Sequence, residues 1–523
     1  METMVLKMKF IVIIFSIFIV SNIQAQYQNV MIADYGSMNE PSIFINPKNP
    51  LEIMGGANIN NYFYSEDGGY TWHVNDLVSP SYGVWGDPVI ITDTAGNFYF
   101  FHLSNPSVGN WIDRIVCQKY NKLTGTWNDG SYMGLNGSKA QDKHWAIVDQ
   151  NTNAIYVTWT QFDDYGSGDP FCQSNIMFSK STDEGLSWSQ AKQINIVAGD
   201  CIDSDNTVEG AVPAVGPDGE IYVAWSGPDG IVFNKSVDAG ESWLSNEIFV
   251  CEQGGGWDMD IPGISRSNGL PVTVCDLSNG PDRGAIYVNY TDQINGSNDT
   301  DVWLVKSSDA GETWSEPVRV NDDPPGRHQF LTWMAIDQSS GYLYFVFYDR
   351  RNYSNNQTDV YLAVSPDGGA SFSNLVISES PFSPYSGVFF GDYNNISAVN
   401  NVVRPIWTRN DSGDLSIYTA IIDMSVGIPE KDQTPASIEQ NYPNPFIEST
   451  VFSYKITRSG RVRLSVINQI GEEILVLKDE FQVRGKYTYS FDTSEYHLSP
   501  GVYYFNLLSN NKSFKRKMVI ANN

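Results

Sequence analysis

One eight-residue pattern recurs along this chain and limits what it can fold into. SEDGGYTW starts at Ser65, STDEGLSW at Ser181, SVDAGESW at Ser236, SSDAGETW at Ser307 and SPDGGASF at Ser365. In such an octet the Ser and Asp side chains can bond the turn's own backbone, the glycine supplies a positive φ, and the closing aromatic packs between sheets. Five copies of a chemical site are implausible, so the octets are expected to be turns that hold a repeat together.

The repeat is wider than the octet. Segments such as VGPDGEIYVAWS and IDQSSGYLYFVFYD place a Gly-containing turn before a strand rich in Tyr and Trp. Units open near Glu40, Asp87, Asp142, Glu209, Gly269, Arg327 and Asp392, at a spacing of roughly 45 to 70 residues, with no helical periodicity between them. The unit from Trp85 keeps only a shadow of the octet, Asn121 to Trp127. Short strands at such a period predict an all-β chain, a β-propeller of seven four-stranded blades, or six if one unit is irregular. The last unit stops at SIYTAIID without an outer strand, so YQNVMIADYG, ahead of the first unit, is expected to close the ring.

Both ends differ from this array. Residues 1–25 carry Lys7 and Lys9 before an apolar run from Phe10 to Val20, the layout of a secretory signal peptide and too short for a comfortable membrane span. The propeller is expected over 26–425, a polar Pro-containing linker over 426–437, and a small antiparallel Ig-like β-sandwich over 438–523. No other stretch reaches transmembrane length, which predicts a mature chain without a transmembrane segment.

A net charge of -28 argues against nucleic acid or an anionic membrane as the main partner. Five scattered cysteines allow at most two bridges and no zinc pair. Cys172 with Cys201 is the preferred bridge, both lying in connections on one face; free buried thiols are the alternative.

The octets follow S-x-D-x-G-x-[ST]-[WF] and resemble the Asp-box, or BNR, repeat of sialidases and related propellers. The resemblance implies that the boxes lie on the face away from the ligand site. Strand alternation puts Glu40, Asp87, Asp142, Lys143, His144, Glu209, Arg327, Asp392 and Tyr393 around the axis of the opposite face, with Arg350, Arg351 and Arg409 in its loops. Trp85, Trp145, Trp333 and Tyr393 could offer aromatic faces to a sugar.

Sialidase chemistry needs an arginine cluster, a tyrosine nucleophile and an acid. Arg327, Arg350, Arg351 and Arg409 could form the cluster, and Tyr393 or Tyr348 the nucleophile. The family's first-blade Arg-Ile-Pro, however, reads Asn39-Glu40-Pro41 here. Another glycosidase would use two carboxyls from Asp142, Glu209 and Asp392, with Tyr393 the remaining catalytic candidate and Glu40, Asp87, His144 and the four arginines binding substrate. The alternative is a non-catalytic glycan-binding or adhesin-type module. No cofactor is required; Ca2+ could sit among the acids, without EF-hand spacing to support it.

NYPNPF at Asn441, GRVRLSVINQIGEEI, SPGVYYFNLL and KSFKRKMVI resemble the type A sorting domain of the type IX secretion system. The resemblance implies a Bacteroidota-type host, the secretion machinery as a partner, and a protein secreted or attached to the outer-membrane surface.

Overall fold

The computed structural model describes residues 27–424, 436–456, 460–482, 485–509 and 512–522. The expected signal peptide lies outside the described residues, as does nearly all of the expected linker. The chain divides into two compact units at Val426 and Gly427.

The first unit is built from antiparallel sheets in a propeller-like arrangement. Among the described residues, seven of its sheets each contain a path of four strands. Their first strands are Ser42–Ile45, Val89–Thr92, Ala140–Val148, Glu209–Val215, Val272–Cys275, Gln329–Asp337 and Asn395–Val399. Each of these strands touches the next, and the last touches the first, so they form a closed cycle. Middle strands such as Ile155–Phe162 are buried along their whole length, because each sheet is covered by a neighbour on both faces. Trp159, Trp225 and Trp407 fill the space between sheets.

The seventh sheet is completed by the N-terminal strand Asn29–Ala33, which pairs antiparallel with Asp414–Ala420. Closing the ring in this way ties the two ends of the first unit into one sheet by backbone hydrogen bonds.

All five octets form the same turn. Ser65 Oγ donates to Asp67 Oδ1 and accepts from Gly69 N–H, while the Asp67 carboxylate accepts from both the N–H and the hydroxyl of Thr71. The set repeats at Ser181, Ser236, Ser307 and Ser365. Each bond satisfies a donor of the turn itself, and at Asp183 the Ser187 hydroxyl and N–H hold the carboxyl down to about 2. The closing aromatic reaches the preceding sheet: Trp243 meets Phe178 at 5.1 Å and Trp314 meets Phe233 at 5.3 Å. At Gly311, φ is +83° and a Cβ would stand 2.3 Å from Phe233, so only glycine fits.

Cys172 and Cys201 are disulfide-bonded, and Cys117, Cys251 and Cys275 are buried free thiols.

The second unit has a three-stranded sheet, Ala436–Ile438, Ser449–Ile456 and Gly485–Asp492, and a four-stranded sheet, Glu473–Gln482, Gly460–Ile467, Gly501–Ser509 and Lys512–Ile520. Phe452, Leu464, Phe491, Phe505 and Met518 lie in its core.

Candidate functional site

The innermost strands begin with a repeated distortion. Glu40, Asp87, Lys143 and Leu331 all have φ between 46° and 52°, a region that costs an ordinary side chain about 1–2 kcal/mol. Register shifts fall at the same level, between Asp142 and Trp145, Glu209 and Val212, and Phe330 and Trp333. A bulge re-aims the side chains that precede it. Here it turns acids toward the common axis rather than into the sheets.

Those acids meet two cations. Lys143 Nζ lies 2.8 Å from Asp392 Oδ2 and 3.7 Å from Asp87 Oδ2. Arg266 grips Asp392 with two nitrogens, Nε to Oδ1 at 2.8 Å and Nη2 to Oδ2, and its Nη1 lies 3.1 Å from Asp203. Asn58 donates to Glu40 and accepts from Asp87 N–H, while Glu40 Oε1 accepts from Asp392 N–H. Asn268 holds the Asp392 carbonyl.

Six carboxyls, Glu40, Asp87, Asp142, Asp203, Glu209 and Asp392, thus surround two cations. They do not ionise alike. Burial would raise Asp392, but Lys143 and Arg266 outweigh it and hold that carboxyl well below the usual range. Burial pushes Asp142 up to about 7, against the pull of Lys143. Glu40 is raised by burial and by Asp87 and Asp392; Glu209 is raised by burial and by Asp203. Glu209 is 0% exposed, and neither of its oxygens has a hydrogen-bond partner. Such a carboxyl stays protonated because its charged form would be unsolvated.

Burial lowers His144 to about 4, so it is neutral at pH 7. Tyr393 is buried with its hydroxyl unpartnered, and burial together with Asp87 and Glu40 drives its pKa up. Its ring packs against Trp145 at 5.1 Å, and Trp145 packs against Trp333 at 4.2 Å. These three rings form a plug beneath the acids. Of the aromatics expected to face a sugar, only Trp85 stays open.

Glu40, Asp87, Asp142, Glu209, Asp392 and Tyr393 therefore gather on the axis, all buried, while His144, equally buried, lies beside Phe101 and His102 of the second sheet. Three of the four expected arginines are committed elsewhere, and the fourth, Arg327, is exposed. Arg350 bonds Thr358 and the Pro262 carbonyl beneath the Phe330 ring. Arg351 pairs with Asp349 and Asp322 over Tyr361. Arg409 holds Ser380 and Pro381, and exposed Arg327 bonds the Gly326 carbonyl. Tyr348 donates to the Thr408 carbonyl.

Arg266, Asp203, Asn58 and Tyr165 are functional candidates that the repeat pattern passed over. Arg266 lies between the short strands Asp258–Met259 and Ser267–Asn268, outside the seven sheets. Its one sequence signal is its place just ahead of the fifth innermost strand. Among the described residues, no group of three or more His, Cys, Asp or Glu is arranged to hold a metal ion.

An aromatic ledge runs from solvent to this cluster. Trp85 is 38% and Trp111 45% exposed. Their rings meet edge to face at 5.9 Å, Trp111 meets Tyr165 at 5.8 Å, and Tyr165 donates to Asp203 at 2.6 Å. On the other flank the half-exposed ring of Phe389 covers Arg266 at 5.2 Å. The Cys172–Cys201 bridge ties together the two loops that carry Tyr165 and Asp203.

Residues 63–74 match the BNR/Asp-box repeat, and residues 440–521 match the secretion system C-terminal sorting domain. The chain carries an Asp-box repeat and a secretion sorting domain. That C-terminal domain directs secretion or outer-membrane attachment by the type IX route. Among the described residues, no helix is long and apolar enough to cross a membrane. No curated protein matches the chain. Among solved structures, a Hadza microbial sialidase is similar at 14% identity and a TM-score of 0.41, over 73% of this chain and 76% of that one. An α-L-arabinofuranosidase from Fusarium graminearum is similar at 11% identity and 0.43, over 76% and 98%. An ulvan lyase, a polysaccharide lyase, is similar at 12% identity and 0.43, over 76% and 96%.

Proposed function

We propose that this is an exported seven-bladed propeller that captures glycans on the face opposite the Asp boxes. Each four-stranded sheet is read as one blade, the second unit as an Ig-like sandwich, and residues 1–25 as the signal of a Bacteroidota-type host. The observation that carries the reading is the continuous path from Trp85 and Trp111 through Tyr165 to Asp203 and Arg266. Exposed indoles offer a rigid apolar surface with a polar edge, and the carboxylates and guanidinium beside them offer fixed hydrogen-bond partners. Acid outnumbers base on this face, so a neutral or amino sugar suits it better than a sialic acid.

A second reading, glycoside hydrolysis, is favoured by one observation. Burial raises Asp142 to about 7, so it keeps its proton in mildly acidic solution where Asp392 stays ionised, the asymmetry an acid and base pair needs. Against it, both carboxyls are covered, and Arg350, Arg351 and Arg409 are each bonded to groups of the protein itself.

The test is an assay of the full chain on neutral, amino and sialylated glycans, reading binding and product release together. Capture predicts saturable binding with no released sugar. Release of sugar that is lost in Asp142→Asn would replace capture with hydrolysis, and sialic acid release lost in Tyr393→Phe would restore the sialidase reading.

A further inference from the structure

Beneath the plug of Trp145, Trp333 and Tyr393 the axis is hollow. A cavity of 540 Å³ is lined by residues from all seven innermost strands. Ile43, Val89, Ile147, Val212, Val274 and Ile396 represent its wall. Val212, Val274 and Ala335 are only half-buried although they stand on innermost strands, so their apolar surface faces the void. Water against this apolar wall finds few partners on the protein, so an apolar ligand that displaces it gains free energy. The size and lining are those of a small-molecule site.

The two ends differ. The plug closes one, and Gln150, Gln338, Ser339 and Asn400 rim the other, exposed, on the side of the boxes. At that end Asp93, Asp149 and Asp276 directly follow innermost strands and Asp337 ends one. All four are buried and accept N–H bonds from their own turns. Arg283, bonded to the carbonyls of Leu277 and Ser278, and exposed Lys48, next to the lining residue Pro47, are cations at this end. Four acids against two bases leave the mouth with an excess of negative charge that favours a cation.

We propose that this cavity binds the alkyl tail of a single-chain amphiphile, with its cationic head held at the aspartate-bearing mouth. The tail gains by leaving water, and the charge at the mouth selects the head. This site is independent of the glycan face, since the aromatic plug lies between them.

The test is calorimetric titration of the full chain with octyl-, decyl- and dodecyltrimethylammonium below their micelle concentrations, with decanoate as the anionic control. One saturable site is expected, tightening by about fourfold per added methylene until the cavity is filled, with decanoate weaker by about tenfold or more. The double variant Ala335→Phe, Val274→Trp takes up part of the void and should weaken binding by about tenfold or more and shorten the longest tail that fits, with circular dichroism and the thermal midpoint reporting that it folds. Binding that is undiminished in the folded double variant, exceeds one site, or favours decanoate overturns the proposal. So does no binding by any of the three cations.

Discussion

Lys143 of the third sheet reaches across the axis to Asp392 of the seventh, Nζ to Oδ2 at 2.8 Å, and both side chains are nearly sealed from solvent. The pair ties opposite sides of the ring together through one interior contact. Its charge is shared with Arg266, so Asp392 is held by two cations from separate elements. Removing one partner leaves a buried carboxylate partly uncompensated. Lys143→Met is expected to destabilise the first unit by about 3 kcal/mol, measured by chemical denaturation. A loss of only a few tenths would show that water reaches the pair.

The axial acids give stability a definite pH dependence. Asp142 has a folded-state value of about 7 against an ordinary 3.8, so between those values the native state binds the extra proton. Its contribution is whole below about pH 4 and is lost as pH rises to 7, at about 1.4 kcal/mol per unit. Asp392, depressed in the fold, acts oppositely and loses its contribution as the solution becomes more acidic than its ordinary value. Glu40 and Glu209, raised in the same way, add declines of the same sign, so Asp142→Asn should make the fall between pH 4 and 7 shallower in a denaturation series without removing it, and an unchanged slope would assign it to those groups.

The disulfide closes a loop with a sequence separation of 29 residues and fixes the segments bearing Tyr165 and Asp203. Replacing Cys172 and Cys201 together by serine should cost about 3 kcal/mol. Glycan affinity should fall as well, because Asp203 and Tyr165 lose their mutual placement. Thermal unfolding and binding, measured on the same protein, separate the two effects.

Within a box the serine is the buried member. Ser307→Ala removes the acceptor for Gly311 N–H and the donor to Asp309, at a cost of about 1–2 kcal/mol. Glycan binding should not change, since the boxes lie at the other end of the blades. Altered glycan affinity in this variant would place ligand contact at the wrong face.

Local and periodic features were the legible part of the sequence. The five octets announced both their turn chemistry and the repeat, because each turn satisfies itself within seven residues. The closing strand Asn29–Ala33 could be read from what the last unit lacked, and Cys172 with Cys201 from their shared face. The axial acids were legible as positions, since every innermost strand opens at the same level.

Their partners were not. Arg266 and Asp392 lie 126 residues apart in sequence, and nothing periodic links them, because the arginine belongs to an insertion outside the repeat. Arg350, Arg351 and Arg409 looked available on the same faces. Each instead finds carbonyls, carboxylates or rings within its own neighbourhood, which alternation cannot show. Trp145, Trp333 and Tyr393 carried the composition of a sugar platform and became a plug, since three large rings at one level of a narrow axis pack on each other.

Capture of glycans by the face bearing Trp85 and Trp111 is the central claim, and a glycan array probed with the full chain and with the double variant Trp85→Ala, Trp111→Ala tests it most directly. The account predicts binding to neutral or amino sugars that falls by about tenfold or more in the double variant. Binding that the double variant retains in full, or no binding by the native chain to any glycan, would contradict it.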